Sequence, residues 1–168
     1  MRRARIDGIE LEYELSGSGD PVVLIHAGVC ADFFRPLDLT AAHTVLRYHR
    51  CGYARSDGRD GAVSLADHAA DCHGLMRALG IESAHVVGHS SSACIALQLA
   101  LDAPEAVRSL VLADPARPAQ PTPAHLRMVR TVAQPALERY GSGDQEGAID
   151  VWMRGVCGDG YREALERA

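Results

Sequence analysis

The stretch "HVVGHSSSACIALQLALDAPE", His85 to Glu105, sets a serine between two apolar runs. It reads as a short strand, a tight turn with Ser90 at its apex, and a buried helix. A serine at such an apex is lifted off the sheet and exposed, as a nucleophile must be. The turn is tight, so the residues two before and two after must be small. Gly88 and Ser92 meet that demand. The helix that begins after Ser90 points free backbone N–H groups and a positive dipole end toward developing negative charge. The Ser91 N–H is therefore a candidate oxyanion donor. "HAGV", His26 to Val29, follows the first buried strand, and its small residues let the backbone turn toward the same sheet edge. Ligands of open α/β sheets bind at that edge. The Gly28 N–H is the candidate second donor, and one such donor is worth ~3 kcal/mol in the transition state. The plainer alternative for Ser90 is a helix N-cap.

These residues need a scaffold. "IDGIELEYELSGSGD" alternates apolar and polar, then turns on glycines, as an edge strand or hairpin does. "PVVLIH", "TVLRYH", "AHVVGH" and "VRSLVLAD" are short continuous apolar runs, which suit strands buried on both faces of a parallel sheet. Helices separate them. Ser64 and Asp67 form a capping-box-like start. Leu65, Ala69, Cys72, Met76 and Leu79 share one helical face, and Gly80 is a natural stop. The helix from Ser91 to about Asp102 is apolar almost all round, so it is expected to be buried, and Pro104 ends it nearby. Strand–helix alternation implies an α/β fold with a mostly parallel sheet flanked by helices.

After "VLADP" the pattern changes. "ARPAQPTP" is a proline-rich connector. Thr122 caps a helix with Pro123 in its first position, and Pro135 is expected to kink or break it. "GSGD" separates a second helix, in which Ile149, Trp152, Met153 and Val156 form a stripe. A third helix starts near Tyr161 and runs to Ala168. The expected division is residues 1–116 for the α/β core and 117–168 for the helical part.

A chain of 168 residues suits an ordinary domain that needs no disulfide or metal. Its net charge of −5 and scattered arginines, with no lysine, argue against nucleic acid as a partner. No run is long and apolar enough for a membrane span. The start "MRRARIDGIELEYELSGSG" has no apolar segment behind its arginines, so no signal peptide is expected. Five cysteines without a C-x-x-C pair fit a reduced, cytoplasmic chain, with Cys94 a buried thiol. No metal-ligand spacing appears, and no cofactor is expected. The expected partner is a small-molecule substrate.

Four segments together resemble the α/β-hydrolase fold superfamily, in its serine-nucleophile branch. "VVLIHAG" resembles the strand and oxyanion turn, and "LRYHRCGYARSD" the following loop. "GHSSS" resembles the G-x-S-x-G nucleophile elbow, and "LALDAPEAVRSLVLADPA" the helix and next strand. Ala27, Ala54 and Ser92 stand where glycines are usual, and Cys51 where an arginine is. A serine nucleophile, in place of aspartate, argues for ester-like chemistry and against the epoxide-hydrolase and dehalogenase branches.

The resemblance implies chain order Ser, acid, His. After Ser90 the only histidine is His125, at the start of a helix and at no family position. By the resemblance His26 and His89 are structural or lining residues. His68 and His73 are expected on the polar side of a surface helix. Asp114 is the candidate acid, or else a structural turn with the following proline. The helices from Pro123 onward resemble the opening of the family's cap. Leu126, Met128, Val129, Trp152 and Met153 would line the pocket or pack helix on helix. By that pattern the chain ends inside the cap, and the strand edge left bare is a surface through which copies can associate. Three readings follow: a serine hydrolase, a catalytically inactive fragment or partner-dependent protein, and a binding protein on the same fold.

Overall fold

The computed structural model describes residues 1–28, 30–116 and 122–166, with only the backbone of Leu165. Most of the expected proline-rich connector, residues 117–121, lies outside the described residues, as does Ala168. The chain forms two compact units, Met1–Arg117 and Pro118–Ala168.

The first unit is a six-stranded sheet with helices. Its elements are β1 (Arg2–Ile6), β2 (Ile9–Ser16), β3 (Asp20–Ile25), β4 (His43–Tyr48), α1 (Leu65–Ala78), β5 (Ala84–His89), α2 (Ser91–Asp102) and β6 (Val107–Ala113). The strand order is β1-β2-β4-β3-β5-β6. β1 and β2 form the antiparallel hairpin, and β2 joins β4 antiparallel. The β4–β3–β5–β6 stretch is parallel. Ile25 pairs with Tyr48 on one side and Gly88 on the other. The loops after β3, β4 and β5 therefore emerge side by side at one edge of the sheet.

Alternation along β3 splits the core. Val23 and Ile25 join Leu46, Tyr48, Leu75, Met76, Val86, Ile95 and Leu99 in the main core, while Val22, Leu24 and Val45 pack with Phe34 and Leu39 on the other face. α1 starts on a true capping box: Ser64 accepts the Asp67 N–H, and the Asp67 carboxylate accepts the Ser64 N–H. Gly80, at φ +73°, supplies the left-handed stop.

Several expectations need correcting. Leu65 is exposed, because it sits at the first turn of α1, beyond the reach of the sheet. His68 is buried, not on a solvent face, because α1 packs that side as well. α2 is not buried all round: Leu97 and Leu101 are exposed. β6 is the sheet edge, not a two-sided buried strand, and Val111 is 53% exposed. An apolar run reports that a residue can be buried, not that a neighbour covers it.

The second unit holds α3 (Pro123–Met128), a π-helical turn (Val129–Ala133), α4 (Gln134–Gly141), α5 (Gln145–Cys157) and α6 (Tyr161–Glu166). Thr122 caps α3 by accepting the His125 N–H at 3.1 Å. Pro135 does not break the helical run. The π turn widens the backbone just ahead of it, which removes the clash with the preceding turn. On α5, Ile149 and Val156 are exposed, so the expected stripe is only half covered. Asp150 instead gathers Arg154, Tyr161 and Arg162 around its carboxylate. Leu126, Met128 and Val129 are exposed, and neither pocket lining nor helix packing covers them fully.

Candidate active site

β5 ends at His89 and α2 begins at Ser91, so Ser90 makes the whole turn. Its backbone is at φ +57°, ψ −122°, a region that L-residues occupy at a cost of about 1–3 kcal/mol. Main-chain bonds on both sides hold it there, the Ala93 N–H donating to its carbonyl at 3.1 Å among them. The Ser90 N–H donates to the Ala113 carbonyl at 2.9 Å, and the Ala116 N–H donates to the Ser90 carbonyl at 3.2 Å. The Ser90 hydroxyl makes no helix-capping bond. The plain N-cap role is therefore not what this side chain does.

Gly88 shows why the elbow needs a small residue. A Cβ there would fall on the Ser92 carbonyl, which is backbone and cannot give way. Ser92 departs from the usual glycine with a consequence. Fully buried, its hydroxyl donates to the His26 carbonyl and ties the elbow to the loop after β3.

That loop carries Gly28. A Cβ built on it would lie 3.1 Å from Ser91 Oγ and 4.0 Å from the Tyr53 hydroxyl. The structure thus brings Gly28 and Ser91 together beside Ser90. His26 anchors the loop. Its Nδ1–H donates to the Ala27 carbonyl at 2.7 Å, and its Nε2 accepts the Arg50 N–H at 3.0 Å. Burial lowers its pKa from 6.5 to about 4, outweighing the Ala27 bond, and the Arg50 charge adds to the lowering. His26 is a neutral structural ring, as expected.

The other histidines are placed as follows. His89 stacks face to face on Phe33, with centroids 4.4 Å apart and planes 8° apart. His49 Nδ1 lies 2.8 Å from the buried Glu12 carboxylate, and its Nε2 is 3.6 Å from Asp32. His68 is pushed below the ordinary imidazole range, first by burial and then by Arg50. His125 lies on α3 of the second unit. Asp114 follows β6 in the left-handed region, at φ +45°, one residue past the carbonyl that receives the Ser90 N–H. Among the described residues no group of three or more His, Cys, Asp or Glu could hold a metal.

The β4 loop, residues 49–63, completes the surroundings. Ser56 donates to the His49 carbonyl at 2.6 Å and accepts the Glu12 N–H at 2.9 Å. Arg59 forks onto Asp71 of α1 at 2.7 and 2.5 Å, and its pKa is raised first by that bond. A cavity of about 380 Å³ opens near this loop, lined in part by Leu24, His26, Asp32, Phe34, Arg47 and His49. Neither Ser90 nor Gly28 lines it, so it is not the elbow's own pocket. Sequence reasoning passed over Tyr53, Arg50 and the Ser92–His26 bond. Only the missing glycine at 92 signalled any of them.

A family model described as the alpha/beta hydrolase fold matches residues 20–140. The chain belongs to the α/β-hydrolase family. Across 107 residues it is 43% identical to a protein of Azorhizobium caulinodans named putative carbamate hydrolase RutD, covering 61% of this chain and 40% of that one. An enol-lactonase from Burkholderia xenovorans is similar in structure, at TM-score 0.63 and 25% identity, over 66% of this chain and 45% of that one. An α/β hydrolase from Sphaerobacter thermophilus matches 99% of this chain and 65% of its own, at TM-score 0.76; at 22% identity it speaks for the fold alone. The chain spans less than half the length of the curated relatives it matches. Among the described residues no helix is long and apolar enough to cross a membrane.

The strain at Ser90 makes a stability prediction. Ser90→Gly is expected to raise the unfolding free energy by about 1 kcal/mol, because glycine tolerates positive φ and no capping bond is lost. Urea unfolding of the two proteins checks this. A lower midpoint for the glycine variant would contradict the strain at the elbow.

Proposed function

We propose that this chain carries the nucleophile and oxyanion hole of a serine hydrolase that acts on an ester or related acyl substrate. The observation that carries this is the Ser90 backbone, held at positive φ with its hydroxyl free of any capping role. Ser90 Oγ attacks the carbonyl carbon, a C–O bond forms, and the carbonyl π pair moves onto oxygen. The N–H groups of Ser91 and Gly28 receive that charge. The Ser90 proton passes through a general base to the leaving oxygen; the oxyanion pair re-forms the carbonyl as that C–O bond breaks and an alcohol departs, and water then adds to the acyl-Ser90, releasing the acid and returning a proton to Ser90. Asp114 is the candidate acid of the unit. Relatives named for carbamate and enol-lactone hydrolysis support the acyl class. Residues 1–116 form the first part of the hydrolase core and 117–168 the start of its cap.

One observation favours a second reading for these residues on their own. Among the described residues no histidine hydrogen-bonds to the Ser90 hydroxyl, so no receiver for its proton is in place there. The chain alone is then inactive or depends on a partner, and the bare β6 edge is where copies or a partner strand would join.

Phenylboronic acid tests the site without needing the base. Wild-type protein at neutral pH is expected to convert trigonal boron to a tetrahedral Ser90 adduct, seen by boron NMR. Ser90→Ala should give none. An adduct of equal strength in both proteins would remove Ser90 from the role.

A further inference from the structure

We propose that the side-chain hydroxyls of Tyr53 and Ser91 are further donors to the oxyanion, beside the backbone N–H groups of Gly28 and Ser91. The proposal rests on the serine-hydrolase reading of Ser90. Both hydroxyls lie beside Gly28: a Cβ there would be 3.1 Å from Ser91 Oγ and 4.0 Å from the Tyr53 oxygen. Among the described residues neither hydroxyl has a hydrogen-bond partner, and both residues are half-buried. Both donors are therefore unengaged beside the candidate oxyanion N–H of Gly28.

Tyr53 is held for this task. Its N–H donates to the Arg50 carbonyl at 3.0 Å, closing a turn. Its ring meets the His26 imidazole edge-on, at 4.8 Å and 67°. The Arg50 guanidinium lies 4.4 Å above the ring. Arg50 is 4% exposed, and its Nε and Nη2 are buried without a hydrogen-bond partner. The described partner of this cation is the Tyr53 π face, a favourable stack once water is excluded. His26, fixed through both ring nitrogens, holds the other contact. The phenol is thus set before any substrate arrives. A donor so fixed costs no reorganisation when charge appears.

The hydroxyls donate hydrogen bonds and transfer no proton. Bonds to a charged oxygen are stronger than bonds to a neutral carbonyl, so both would act more on the transition state than on the substrate.

A phenylboronic acid titration followed by boron NMR tests the proposal. Ser90 Oγ bonds to boron, its proton goes to water, and the tetrahedral anion stands in for the oxyanion. Tyr53→Phe keeps the ring between Arg50 and His26 and removes only the hydroxyl. It is expected to weaken the adduct roughly tenfold to a hundredfold, the range for losing a bond to a charged group. Ser91→Ala is expected to do the same. Unchanged affinity in folded Tyr53→Phe overturns the proposal and leaves the Ser90 reading intact. If Tyr53→Phe does not fold, Ser91→Ala reads the same pocket, and unchanged affinity there overturns it. A wild-type protein with no Ser90-dependent adduct removes the serine-hydrolase reading and this proposal with it.

Discussion

Purified as these 168 residues, the protein is expected to show no Ser90-dependent turnover of an activated ester such as p-nitrophenyl acetate. A serine hydroxyl is a weak nucleophile until a base takes its proton. Among the described residues no histidine hydrogen-bonds to the Ser90 hydroxyl. His26 donates to Ala27 and accepts from Arg50, and burial keeps it neutral. His49 turns its Nδ1 to the Glu12 carboxylate, and the His89 ring is held in a stack on Phe33. His43 and His85 begin β4 and β5, at the opposite end of the strands from Ser90. Losing the base from such a unit costs on the order of a millionfold in turnover, because serine and histidine act together. Wild type and Ser90→Ala should therefore hydrolyse the ester at the same background rate. A Ser90-dependent excess would mean that some other residue of this chain serves as base.

Arg59→Ala is expected to destabilise the protein by about 3–5 kcal/mol, as breaking a buried ion pair does. That is a large part of the about 5–15 kcal/mol that holds an ordinary domain. The reason lies with its partner. Asp71 is 1% exposed, and both its carboxylate oxygens receive Arg59. Truncating the arginine leaves that carboxylate buried in α1 without a counter-charge. It also frees the end of the loop that carries Tyr53. The midpoint of urea unfolding reads the loss. Arg59→Ala with Asp71→Ala should be less destabilised than Arg59→Ala alone, since the stranded charge is gone. A single variant within about 0.5 kcal/mol of wild type, the range of ordinary surface changes, would show the pair to be screened.

The elbow was legible in the sequence because its constraint is local. A strand, a small residue, a serine and an apolar helix leave few backbone paths, and Gly88 and Ser90 occupy the expected ones. The capping box at Ser64 and the stop at Gly80 were legible for the same reason, since caps involve residues three or four apart. Burial was less legible. His68 was expected on a solvent face and is buried; Leu101 and Val111 were expected inside and are exposed. Periodicity names a face but not what covers it.

By itself the sequence determined the family, the α/β alternation and the serine at the turn, all of which depend on short-range sterics and residue order. Only the tertiary structure decided what surrounds that serine. Ser92 reaches the His26 carbonyl across 66 residues, and the Gly28 turn finds Ser91 at the head of α2 and Tyr53 in the loop after β4. Arg50 and His26 clamp the Tyr53 ring only because β3 and β4 are neighbours in the sheet. Pairing of strands distant in the chain is set by the whole core at once, so no local pattern announces which side chains will share the mouth of the site.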